Sequence, residues 1–224
     1  GLGFIFRPPG QDLIPFMGLS FEGRSSGQLT DSLVKDTELL VWGEADVEVQ
    51  GNTFDGGSIT LEGAGTDAIV TGNRLANSNK WGIAVWNGAS PVISDNDIIG
   101  ASTGIDVYAV TNPVIRANNI YDDEGFVDLV ARADAGDLPE FITAAEIRGN
   151  RISESSVAGI GVHEYASATI ESNEVRDNQV GISLVRPGEI SIGDNTFCGN
   201  EQNLAASDAA APPIGGSNEI CEDT

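Results

Sequence analysis

Basic residues are scarce in this chain: Lys and Arg number 11 against 34 Asp and Glu, a formal charge of -23. A surface of that sign repels nucleic acid and anionic membranes, which excludes both as expected partners. A polyanionic substrate would need a bridging cation such as Ca²⁺. Histidine occurs once and cysteine twice, too few for the usual four-ligand structural zinc site. No apolar run approaches the ~18 residues of a membrane-spanning helix. No apolar stripe at helical spacing extends beyond about two turns. Phosphate loops, dinucleotide fingerprints and nucleophile elbows are missing as well. No signal peptide is visible, and the opening Gly1-Leu2-Gly3-Phe4-Ile5-Phe6 reads as a trimmed or mature chain.

Asn, Asp, Ser and Gly are plentiful and spread along the whole length, which predicts many short strands joined by tight turns. These residues fall into a repeat. One segment of each coil reads Val49-Gln50-Gly51-Asn52-Thr53-Phe54, Val70-Thr71-Gly72-Asn73-Arg74-Leu75 and Ile93-Ser94-Asp95-Asn96-Asp97-Ile98. Equivalent segments centre on Asn118, Asn150, Asn173 and Asn195, so the asparagines step by 21, 23, 22, 32, 23 and 22. Ser32 takes the asparagine's place one coil earlier. A second segment reads Ile59-Thr60-Leu61-Glu62, Ile83-Ala84-Val85-Trp86, Ile105-Asp106-Val107-Tyr108, Val127-Asp128-Leu129-Val130 and Ile160-Gly161-Val162-His163. Apolar residues alternate within each segment, the period of a strand. A single coil cannot bury its apolar face, whereas stacked coils bury a continuous core. The expected fold is all-β: a single-stranded, right-handed parallel β-helix of eight to nine coils in one domain, with an N-terminal cap over 1–17, coils over 18–198 and a C-terminal cap over 199–224. The recurring Asn is read as a structural ladder at a turn. The long step after Asn118 places an insertion at about Ala131 to Thr143.

Aligned coils define outward rows. One reads Glu22, Trp42, Glu62, Trp86, Tyr108, Val130, His163, Val185. Its neighbour reads Ser20, Leu40, Thr60, Ala84, Asp106, Asp128, Gly161, Ser183, and both are expected to face solvent. Trp42, Trp86 and Tyr108 with Glu62 suit stacking on sugar rings and bonding to hydroxyls, so these four are the expected substrate-binding residues. The competing reading covers the rings with the insertion, a terminal segment or a partner subunit. Asp106 and Asp128 should sit side by side in neighbouring coils, where one pKa rises or a cation such as Ca²⁺ is recruited. With His163 they form the candidate catalytic set, acting as acid and base. A solvated acidic face and a surface histidine are the alternatives. Arg74, Asp97, Asn119, Arg151 and Glu174 form a row of mixed charge, read as ion pairs on a solvated face. No metal site is assigned. Cys198 and Cys221 are expected to form a disulfide, and hence to lie in an oxidising compartment: periplasmic, secreted or at the cell surface.

The Gly-Asn-x-Ile/Leu/Phe turn and the Gly-Ile-x-Val strand resemble the repeats of the pectate-lyase-like superfamily over about residues 18 to 198. The likeness is to its generic repeat members, which include periplasmic NosD-type proteins and carbohydrate-binding or sugar-hydrolase modules. It implies the β-helix and a carbohydrate polymer as ligand. The chain lacks the Gly-His-Gly and Arg-Ile-Lys of polygalacturonases, the Tyr-Gly-Phe-Asp-Pro-His of mannuronan epimerases and the Arg-x-Pro-x-x-Arg of pectate lyases. No activity transfers residue by residue, and a non-catalytic structural or adhesive solenoid stands as the alternative.

Overall fold

The computed structural model describes residues 18–109, 111–121, 127–130, 143–207 and 216–221, with the side chains of 127–130 excluded. In each coil the chain visits three sheets in turn, as in Glu38–Trp42, Asp46–Gln50 and Thr53–Asp55, before beginning the next coil at Ser58–Glu62. The first sheet stacks nine parallel strands from Leu19–Glu22 to Gln202–Ala206, the second eight from Ser26–Thr30 to Ile190–Gly193, and the third nine from Leu33–Lys35 to Glu219–Ile220. Every strand pairs with its counterpart one coil away, so the molecule is a parallel β-solenoid, as the repeat requires. The expected N-terminal cap and nearly all of the insertion fall outside the described residues, whereas 199–207 and 216–221 of the expected C-terminal cap are described. Strand pairing continues past Cys198: Leu204 lies beside Ile182, and Ile220 beside Phe197.

The interior is a set of aliphatic columns. On the first sheet Leu39, Ile59, Ile83, Ile105, Ile160 and Ile182 lie in register and are fully buried. Val41, Leu61, Val85, Val107, Val162 and Leu184 form the column beside them. The Gly-Ile-x-Val motif also has a packing cause. A Cβ on Gly82 would lie 2.7 Å from Ile98 Cγ2 and 2.8 Å from the Gly104 carbonyl oxygen, so the strand enters the sheet where no side chain fits.

The asparagine ladder is continuous. From Asn73 on, each Asn Oδ1 accepts from the backbone N–H and the side-chain amide of the Asn one coil back, as Asn73 does from Asn52 at 2.9 and 3.0 Å, while Asn52 Oδ1 accepts from the Ser32 N–H. Each side-chain N–H₂ also reaches a backbone carbonyl, as Asn118 does at Ile93. The ladder crosses the 32-residue step between Asn118 and Asn150 without a break and ends on Asn218. The left-handed backbone falls on the residue before each asparagine and not on the asparagine itself: Gly51, Gly72, Asp95, Ala117, Gly149, Ser172 and Asp194 all have positive φ. A second, shorter ladder joins Ser155, Asn178 and Asn200.

Candidate functional site

The register of the first sheet is the one the repeat predicts. Glu22, Trp42, Glu62, Trp86, Tyr108, Val130, His163 and Val185 are successive neighbours. Trp42 is 41% exposed, while Glu62, Trp86, Tyr108 and His163 are half-buried. Glu62 accepts from the Asn87 amide at 2.7 Å.

The neighbouring row departs from the expectation that it faces solvent. Ala84 is 0% and Thr60 2% exposed. Thr60 is covered by Trp81, which the coil register did not bring out. Alternation breaks at Gly82, so Trp81 joins Trp86 on the outside, edge to face with ring centroids 4.6 Å apart. Trp81 Nε1–H donates to Thr60 Oγ1 at 3.1 Å, fixing the ring over the sheet. Thr60 in turn bonds the Glu38 carboxylate, and the Lys80 ammonium lies 5.3 Å from the Trp81 ring centre. Trp81 pairs in register with Thr103, and a third tryptophan five residues before Trp86 was the available signal.

Trp86 is fixed from the other side. Its Nε1–H donates to Asp106 Oδ2 at 2.9 Å. Burial pushes the Asp106 carboxyl above the ordinary carboxylate range, and the Trp86 bond offsets part of that rise. The Asp106 and Asp128 backbones are neighbours in the sheet, while the Asp128 side chain lies outside the described residues. His163 stands one strand beyond Asp128 and two residues along. That places it roughly 12 Å from Asp106 at ordinary strand spacings. Burial lowers the His163 pKa, and the Glu164 carboxylate opposes this. Asp106 and Tyr108 thus lie on one strand of the first sheet, and His163 lies two strands further along it.

The mixed-charge row lies on the third sheet. Arg74 pairs with Asp97, Asp97 accepts from Asn119 at 2.9 Å, and Arg151 meets Glu174 at 2.9 Å. Arg116 and Arg148 are neighbours on the second sheet. That sheet also carries a shallow groove of about 570 Å³ lined by Glu146, Ser167, Thr169 and Glu189 among others. Among the described residues no three His, Cys, Asp or Glu side chains gather closely enough to hold a metal ion, and no helix is long and apolar enough to cross a membrane.

Cys198 and Cys221 are bonded, with Cα atoms 4.9 Å apart in adjacent coils. The bond suits an extracytoplasmic protein. Comparisons with curated proteins and with solved structures give no match. A family model described as periplasmic copper-binding protein (NosD) matches residues 33–211. With the solenoid spanning the same stretch, the chain belongs to the NosD family of periplasmic β-helix proteins.

Proposed function

We propose that this β-helix binds a carbohydrate polymer outside the cytoplasm, along the outer face of its first sheet. Trp42, Trp86 and Tyr108 supply stacking faces, and Glu62 and Asp106 accept from sugar hydroxyls. The observation that carries this reading is the clamping of Trp86, held between the Trp81 ring and the Asp106 carboxylate. A ring fixed in advance loses little freedom when a ligand stacks on it. The acidic surface favours neutral sugars over polyanionic ones. If the polymer is also processed, Asp106 with its raised pKa is the general acid, and Asp128 and His163 are the remaining acid/base residues.

The family's description names copper. Here Cys198 and Cys221 are bonded to each other, His163 is the sole histidine, and no ligand cluster occurs among the described residues. That donor set does not fit a copper site, and copper has no part in the proposed reading.

The test is titration calorimetry, with tryptophan fluorescence, of the purified chain against neutral and acidic oligosaccharides. Binding of neutral chains is expected, weakened about 10-fold by Trp42→Ala or Trp86→Ala. A folded chain that gives neither heat nor a fluorescence change with any glycan removes the reading. A second reading, an adhesive or interaction solenoid, draws on the second sheet, where Ile69, Val92 and Val114 form an outward apolar row and Ile69 is 47% exposed. Light scattering that shows a dimer, lost on Ile69→Asp, would favour it.

A further inference from the structure

The corner after His163 is built from the wrong residues for its shape. The Ala166 N–H donates to the His163 carbonyl at 3.1 Å, closing a tight turn with Glu164 at φ 52° and Tyr165 at φ 69°. Positive φ at both central residues suits Asn-Gly. The same corner three strands earlier has that pair. There the Ala89 N–H donates to the Trp86 carbonyl, with Asn87 at φ 52° and Gly88 at φ 96° between them. The neighbouring bonds match too: Tyr165 N–H reaches the Arg186 carbonyl, as Gly88 N–H reaches that of Ala109. The fold therefore accepts glycine at this position. Tyrosine there is a true backbone outlier, because a bulky side chain disfavours the left-handed region.

Packing does not account for Tyr165, which is 57% exposed. Glu164 is held by an ion pair with Arg186 from the next coil, which fixes the turn. The corner leads from His163, at the end of the aromatic row, to Ser167 on the wall of the second-sheet groove. Strained residues held by a rigid surround concentrate at ligand sites. We infer that Tyr165 is a ligand-contact residue, a stacking ring presented by the strained corner to the same neutral polysaccharide. This rests on the carbohydrate reading and extends its contact surface three coils beyond Trp86, about 14 Å along the axis. The polymer then runs parallel to the solenoid axis, and long oligosaccharides bind more tightly than short ones.

The decisive variant is Tyr165→Gly, which restores the residue found at position 88. It should raise Tm by about 2–4 °C, through relief of the left-handed strain. It should also weaken binding of a long neutral oligosaccharide at least 5-fold, and leave a disaccharide's binding unchanged. Tyr165→Phe keeps the ring and should keep the affinity. If Tyr165→Gly binds the long chain as well as the unaltered protein while Trp86→Ala does not, this inference falls and the carbohydrate reading stands. If the unaltered chain binds no glycan, both fall together.

Discussion

Trp86 reaches across one coil to Asp106, its Nε1–H donating to the carboxylate at 2.9 Å. The bond orients the indole, and it also brings a carboxyl group under partial cover. Burial raises the Asp106 pKa more than the indole bond lowers it. The folded chain therefore holds this proton more readily than the unfolded chain does. Its contribution to stability is complete at acid pH, below the ordinary carboxylate value, and is lost as pH rises through the raised one. Asp106→Asn keeps an acceptor for the indole and removes the charge. Thermal unfolding should show a higher Tm for the variant at about pH 7, with the gain closing near pH 3. A gain of equal size at both would mean that burial of the charge is not its source.

The ladder yields the largest expected loss. Asn118 Oδ1 accepts from both Asn96 groups, and its amide donates to Ile93 and Asn150. Asn118→Ala leaves two buried donors without an acceptor and one buried carbonyl without a donor. The cost should be on the order of 3–5 kcal/mol, read by urea unfolding. Asn118→Asp retains the acceptor but buries a charge, so it should not rescue. A loss below about 1 kcal/mol would mean that water replaces the ladder bonds.

Much of the molecule was legible because the repeat fixes register. Once the asparagines were aligned, neighbours such as Tyr108 beside Trp86 and Asp128 beside Asp106 followed. What escaped did so for physical reasons. Strict alternation fails at Gly82, where the corner admits no side chain, and so the outward Trp81 and its bond to Thr60 were hidden. The Ser155–Asn178–Asn200 ladder is too short to stand out as a period. The strain at Tyr165 depends on backbone dihedrals that composition does not reveal.

The residue before each ladder asparagine offers a matched pair of substitutions. Ala117 has φ 55° and is exposed, while the equivalent Gly149 has φ 62° and open space, with no atom within 4 Å, where a methyl group would stand. Ala117→Gly therefore relieves left-handed strain without opening a cavity. Set against glycine's greater freedom in the unfolded chain, the net gain should be about 0.5–1 kcal/mol. Gly149→Ala should lose a similar amount, since space is no obstacle and only the backbone is strained. Equal Tm values for the two variants and the parent would show that this turn tolerates either residue.

The disulfide should govern the last coil more than the rest. Cys198 and Cys221 are 23 residues apart and join the Glu219–Ile220 strand to the third sheet. That strand is otherwise held by backbone bonds from Glu219 to Asn195 and from Cys221 to Phe197, and by the Asn218 rung. Both of its residues are exposed, so little apolar burial assists. Closing a loop of this length stabilises the folded state by about 3 kcal/mol in the chain-entropy account. Replacing both cysteines with serine should therefore free the terminal strand first. Hydrogen exchange should accelerate at the amides of Glu219 and Cys221, while those of the Asn96–Asn118 rung stay protected. Uniform acceleration along the ladder would instead show that the bond supports the whole solenoid as one cooperative unit.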